Sequence, residues 1–287
     1  MMARILSASH HLQVVREGEP LPALNQALKE ACREHFRRID RFIQLALLGS
    51  ARCVGGHSLD TGCGVYLGSG FGPIACNVAT QEQMLRDREL PKPFDFVNTL
   101  GVSAGFYVAK NFGLTGQNLC ISRPGASLEA VLTAALTDLA LGVMSQALVG
   151  VVEEVTLPLP EHRLRREQPV DSLAAEGSHW LLLEADGAAG KSIGLQRFGE
   201  IAALRAELGS QRHSGDRLHL ARSLDAGAAG LLRQRFPDAD SGDRKGAYHD
   251  NVEAAWVTEF LVSGATGGLY LADGDARRGF SLLHLGA

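Results

Sequence analysis

Nothing in this chain is basic enough to attract a polyanion. Its 28 Lys and Arg stand against 32 Asp and Glu, a formal net charge of −4 with the signs interspersed. No nucleic-acid-binding field is expected from such a balance. No run reaches the roughly 18 apolar residues that span a bilayer, so no membrane span is expected. The opening MMARILSASHHLQVV lacks the long apolar core of a signal peptide. Close C-x-x-C pairs are absent too: Cys32, Cys53, Cys63, Cys76 and Cys120 are scattered and odd in number. Reduced cytoplasmic thiols are expected, rather than disulfides or a zinc site. The adjacent pair His10-His11 has no ligand spacing. His57, His162 and His213 lie in polar stretches that predict solvated loops. Neither a cofactor nor a metal is implied.

What the chain does have is about 45% apolar residues and 33 glycines over 287 positions. That suits a soluble globular α/β protein with tight turns. Its organising stretch is 113–154. Residues 119–122 form a short strand candidate. Arg123-Pro124-Gly125 is a break, because Pro restricts the residue before it and Gly permits a tight turn. Residues 127–142 then show helical periodicity through Leu128, Val131, Leu132, Ala135, Leu136, Leu139 and Ala140, and Gly142 ends the helix. Residues 147–152 are an apolar run of the kind buried on both faces of a sheet. A helix N-terminus directly behind a turn favours developing negative charge or a thiolate.

Two other motifs compete for a function. Residues 63–67 predict a strand, and Gly68-Ser69-Gly70-Phe71-Gly72 follows it as a turn that could cradle a phosphate. Pro73 stands where the dinucleotide fingerprint wants Gly, and no P-loop Lys follows. Gly101 to Gly105 spells G-x-S-x-G, which would make Ser103 the nucleophile of a hydrolase. That motif needs a strong strand before it, whereas 91–95 reads as a loop. Asn98 or Thr99 reads better as the N-cap of a helix ending at Phe112.

The rest predicts further strands at 4–7, 179–184, 193–201, 218–222, 268–272 and 280–285. Helices are expected at 24–36, 43–48, 202–208 and 226–236, and 245–255 opens one that runs to 262. The Pro-rich, charged stretch 157–169 reads as a surface loop, and 186–191 as a turn. Repeated strand–helix–strand units argue for a layered α/β protein.

Ile121-Ser122-Arg123-Pro124-Gly125-Ala126-Ser127, with the strand end Val149-Gly150-Val151-Val152-Glu153, resembles the nucleophile region of the β-ketoacyl-ACP synthases. These belong to the thiolase-fold superfamily. Arg37-Arg38-Ile39-Asp40-Arg41-Phe42, the helix through Phe112, the strand after Glu176-Gly177-Ser178 and the stretch 245–255 resemble further motifs of the family. The resemblance implies a single thiolase-like domain over 1–287, five-layered αβαβα, with similar halves at about 1–190 and 191–287. It places the family's catalytic Cys on Gly125, which has nothing to acylate. The family Lys falls on Lys245 and the family His on Asp250. His249 stands one residue early, about 100° away on a helix. No HGTGT motif is present, and His219 lies inside a predicted strand, so its role is not carried over.

A lost Cys and a displaced His resemble the chain length factors, and the short bacterial type of aryl polyene pathways suits this length best. The implied partners are an active ketosynthase, as a heterodimer, and acyl carrier protein; a homodimer is also open. Phe106, Tyr107 and Phe112 would bound the acyl tunnel or the interface. One rival is an active acyltransferase with Cys120 as a displaced nucleophile. The other is the Ser103 hydrolase. Ser122 and Ser127 are expected to bond within the turn and cap the helix. Glu153-Glu154 is a further candidate, as a paired carboxylate site.

Overall fold

Successive side chains of a strand point to opposite faces, and what each face packs against defines the architecture. A computed structural model describes residues 2–170, 172–185, 191–240, 247–248 (as backbone) and 251–286. In chain order the first elements are β1 (Met2–Val15), α1 (Asn25–Ala31), α2 (Arg41–Val54), β2 (Gly64–Ser69), α3 (Ile74–Leu85), α4 (Pro93–Asn98) and α5 (Gly101–Phe112). Next come β3 (Asn118–Ser122), α6 (Ser127–Ala140), β4 (Gln146–Glu153), α7 (Leu159–Arg165), β5 (Leu173–Glu184), β6 (Ser192–Phe198) and α8 (Ile201–Gln211). The last are β7 (Arg217–Leu220), α9 (Ala226–Arg235), β8 (Ala247–Tyr248), α10 (Val252–Val262), β9 (Leu269–Asp275) and β10 (Gly279–Gly286).

The strands form one mixed sheet in the order β3-β2-β4-β5-β1-β6-β10-β9-β7, with β8 beside β5. Strands β2, β3 and β4 are parallel, and β5 is antiparallel to both β4 and β1. The second set mirrors this outward from β6. There β10 is antiparallel to both neighbours and β9 is parallel to β7. The first strands of the two sets meet antiparallel, through Met2↔Gly194, Ala3↔Ile193 and Arg4↔Ser192. Among the described residues the second set has no counterpart of β3.

Side-chain alternation then sorts the layers. Val149, Val151, Leu181 and Leu183 face α6 and α10, as do Leu269, Leu271, Leu283 and Leu285 from the other half. Leu148, Val152 and Leu182 face α2 and α5. Tyr270, Ala272 and Leu282 face α8 and α9. The result is five layers, αβαβα, with α6 and α10 in the middle. Packing rather than propensity decides α6. Thr133 and Thr137 each cost it well under 1 kcal/mol. The six apolar residues Leu128, Val131, Leu132, Ala135, Leu136 and Leu139 are buried, and each buried Leu or Val contributes about 1.5–3 kcal/mol.

Several boundaries differ from the sequence reading. β1 runs to Val15 rather than ending at Ser7, and His10 and His11 lie within it. The helix expected at 24–36 is confined to Asn25–Ala31. Pro93 does not sit in a loop but opens α4, at the helix start where its missing N–H costs nothing. α5 follows Leu100, which has no capping side chain, instead of Asn98 or Thr99. The stretch read as a surface loop holds α7 and buries Leu159, His162, Arg166 and Gln168. His162 is thus not solvated: its Nδ1 accepts from Thr156 N at 3.2 Å, and burial pushes it down to about 3. Among the described residues no helix is long and apolar enough to cross a membrane, and no group of three or more His, Cys, Asp or Glu is placed to hold a metal.

Candidate functional site at the start of the central helix

β3 leaves the sheet at Ser122, and the chain must reverse into α6 within four residues. Gly125 (φ 64°) and Ala126 (φ 49°) make that turn in the left-handed region. Glycine suits this geometry because an L side chain there crowds its own carbonyl. Ser127 then holds the turn in place. Its Oγ lies 2.6 Å from Arg123 O and 2.9 Å from Ser69 O, the end of β2. Ser122 Oγ reaches Gly70 O at 3.4 Å.

Behind the turn lies a buried polar cluster. Ser127 N donates to Asn251 Oδ1 at 3.1 Å, and Asn251 Nδ2 donates to Glu153 Oε1. Gly70 N also donates to Glu153 Oε1. Glu153 Oε2 takes Arg166 Nη1 at 3.3 Å and Ser69 Oγ at 3.4 Å. Arg166 donates in addition to Glu154 O and lies 4.7 Å above the Phe71 ring. Glu153 and Arg166 are both buried, and a buried charge pair is tolerable only with its remaining polar atoms satisfied. The ends of β2 and β4 and the starts of α6 and α10 are thereby tied at one point.

On the other side of the turn stand Ser223 and two carboxyls. A Cβ at Gly125 would lie 3.9 Å from Ser223 Cβ. Ser223 Oγ donates to Asp273 Oδ1 at 2.7 Å. Arg222 N donates to Glu253 Oε1 at 3.3 Å. Burial, with help from Asp273, pushes Glu253 up to about 7. Ala126, Glu129, Asn251, Glu253 and Asp273 help line a cavity of about 20 Å3, room for one water.

The other sequence-predicted residues lie elsewhere. Cys120 faces away from α6: a Cβ on Gly101 of α5 would come within 2.8 Å of its Sγ. Burial pushes its thiol up to about 11, which opposes the thiolate that a nucleophile needs. Ser103 is buried in the first turn of α5 and donates to Val97 O at 2.7 Å. It follows a helix instead of a strand, so the strand–turn–helix context of a nucleophile elbow is missing. Phe106, Tyr107 and Phe112 sit together on α5: Phe106 is exposed, Tyr107 packs edge-on to Phe36 and Phe106, and Arg33 covers Phe112. His219 stacks on Trp256 of α10 at 5.2 Å. Lys245, His249 and Asp250 lie outside the described residues. Glu153 and Glu154 diverge rather than pair: Glu154 Oε1 accepts Ala75 N at 2.8 Å, on the α3 side.

Sequence reasoning missed Asn251, Arg166 and Ser223. An Asn directly before an apolar helical run is an N-cap signal that could have picked out Asn251. No local signal marks the other two.

No protein-family model matches the chain, and no curated protein does. Solved structures do. The ishigamide ketosynthase/chain length factor aligns over 99% of both chains at 15% identity, with TM-score 0.74. A type II PKS acyl-carrier protein in complex with its ketosynthase bound to the hexaketide, AntDE:AntF, covers 100% of this chain and 99% of its own at 13% identity, TM-score 0.67. A ketosynthase in complex with its chain length factor from Xenorhabdus doucetiae covers 100% of both at 15% identity, TM-score 0.54. At these identities the likeness is one of fold: the chain has the thiolase-like fold of the ketosynthases and chain length factors.

Proposed function

We propose that this chain is a catalytically silent, ketosynthase-like subunit of the chain length factor kind. In this reading it pairs with an active ketosynthase and bounds the pocket for the growing chain during extension on acyl carrier protein. Gly125 is the observation that carries the reading. It occupies the turn before α6, where the resembled family presents its Cys, and glycine offers no atom to acylate. The surroundings agree. Ser223 stands beside the turn with Asp273 and Glu253 close by, and the adjoining cavity of about 20 Å3, as the described residues line it, has no room for an acyl group. The family His position, Asp250, supplies no imidazole.

Pairing is supported by a surface. β3 is an edge strand, and an edge offers unpaired backbone groups to another chain. Beside it Phe94, Phe96, Leu100, Val102 and Phe106 expose apolar area on α4 and α5, and such patches mark protein contacts. In this reading Phe106, Tyr107 and Phe112 lie at the partner interface or the tunnel wall. The chain would serve a polyketide- or fatty-acid-type pathway of the aryl polyene kind, in the cytoplasm.

Intact-protein mass spectrometry after incubation with acyl- and malonyl-thioesters of acyl carrier protein tests this. The expected result is no covalent adduct. An acyl adduct mapped to Cys120 or to a serine would overturn silence and make the chain an acyltransferase with a moved nucleophile.

A further inference from the structure

Beyond the C-terminal end of α8, the outer face of the second half-sheet carries a cavity of about 500 Å3. That is the size of a small-molecule site. The strand registers set its floor. Tyr270 pairs with His284, His284 with Gly194, and Gly194 with Met2, so one row crosses β9, β10, β6 and β1. All four residues line the cavity. The rings of Tyr270 and His284 stack, with centroids 4.6 Å apart and planes 17° from parallel. Tyr270 is held by its hydroxyl, which donates to Gln211 O at 3.0 Å.

The next position in the row is a glycine. His284 therefore has one face covered by Tyr270 and the other over bare backbone at Gly194, with Met2 beyond. From β10 to β1 is two strand spacings, about 10 Å. A ring stacked on His284 at about 3.5–4 Å then lies about 6 Å from the β1 position that carries Met2, within reach of its thioether. Gly286 keeps the edge of the imidazole clear as well, since a Cβ there would lie 3.3 Å from His284 Cε1. The polar rim is Gln196, Gln211, His213 and Asp216. Asp216 is already engaged: Oδ1 accepts Gly268 N at 2.6 Å and Oδ2 accepts His213 N at 2.8 Å. Burial holds His284 below its usual range against the opposing pull of Asp216, so its imidazole is neutral at neutral pH. The slot thus offers a π-face and a thioether, with two amides, an imidazole and an already engaged carboxylate at its rim.

We propose that this cavity binds a neutral planar heteroaromatic ring, inserted over Gly194 between the His284 imidazole and the Met2 thioether. Stacking on His284 continues the pair that Tyr270 begins, and sulfur against a ring edge adds to it. The rim amides and His213 would read the hydrogen-bonding edge. This site stands apart from the turn at Gly125 and does not depend on the function proposed above.

Indole titrated into the full chain, followed by NMR of the Met2 methyl and the His284 ring, tests the proposal. The expected result is a saturable upfield shift of the Met2 methyl. Gly194→Leu, which fills the slot, should bind indole at least tenfold more weakly. Cyclohexylmethanol, equally apolar without a π-face, should also bind at least tenfold more weakly than indole. No saturable shift at millimolar indole would overturn the site, as would equal binding by Gly194→Leu. Equal binding of cyclohexylmethanol would overturn the planar-ring assignment. Should Gly194→Leu not fold, His284→Leu removes the stacking surface and is read in the same way.

Discussion

Asn251 joins Glu153 to the first turn of the central helix, accepting from Ser127 N with its oxygen and donating to Glu153 with its amide. One neutral side chain thus satisfies an orphan helix N–H and a buried carboxylate together. Asn251→Ala should leave both groups short of a partner. Unsatisfied buried groups cost about 1–3 kcal/mol each, more when charged. We expect a loss of about 2–4 kcal/mol in urea unfolding. Asn251→Asp should be worse at pH 7, since it sets a second carboxylate against Glu153. A loss under about 0.5 kcal/mol for the Ala variant would mean that the cluster does not hold the turn.

Glu154 makes stability depend on pH. Burial, the largest cause, lifts it from 4.5 to about 8, with Asp40 and Glu176 adding to the rise. Its Oε2 is buried without a hydrogen-bond partner. Below 4.5 the residue is protonated folded and unfolded, and makes no difference. Between 4.5 and about 8 the folded chain keeps a proton that the unfolded chain has released, so stability falls as pH rises. Glu253, lifted to about 7, acts in the same direction. His162 acts oppositely, but only between about 3 and 6.5. The window from pH 6.5 to 8 therefore isolates the carboxyl effect. Urea midpoints should drop across it, and Glu154→Gln, which keeps the neutral form, should flatten the drop. A flat native profile would refute the protonated Glu154.

Which parts of this could be read from the sequence follows from where each residue finds its partners. β4 is buried at every position, and the helical stripe of α6 faces a single layer, so their patterns were unambiguous. β1 was not legible beyond its first residues because Ser7, Ser9, His10 and Gln13 interrupt the apolar alternation. Their compensation is tertiary: Ser7 donates to Cys53 O, Ser9 to Gly49 O, and His10 meets Thr258. Arg166 reads as a solvated charge until Glu153 and Phe71 are placed around it. At the candidate site the turn and Gly125 were visible locally. Asn251 was not read as part of it, because Ser127 and Glu153 lie 124 and 98 residues away in sequence.

The apolar strip on α5 makes a prediction about pairing. Phe106 is 56% exposed and Val102 44%, so neither contributes much to the folded chain alone. Phe106→Asp with Val102→Asp should shift unfolding of the isolated chain by no more than about 1 kcal/mol. Binding to an active ketosynthase partner, measured by analytical ultracentrifugation or calorimetry, should weaken by at least tenfold. Unchanged pairing would remove α5 from the interface and leave the β3 edge to carry it.

Restoring a thiol at Gly125 should not restore an enzyme. The position has room, since a Cβ would meet only Ser223 Cβ at 3.9 Å. The backbone objects instead: φ is 64°, a region that costs an L side chain about 1–2 kcal/mol. Should the new thiol settle there, the carboxyls Asp273 and Glu253, which line the cavity beside Ala126, would disfavour a thiolate. A nucleophilic Cys needs the opposite surroundings, a positive charge or an imidazole within reach. Gly125→Cys is therefore expected to lower stability by about 1–2 kcal/mol and to react slowly with iodoacetamide near neutral pH. No condensation product should form with acyl- and malonyl-carrier protein. Turnover by this single variant would mean that a base exists near the turn, and His249 would be the first residue to replace.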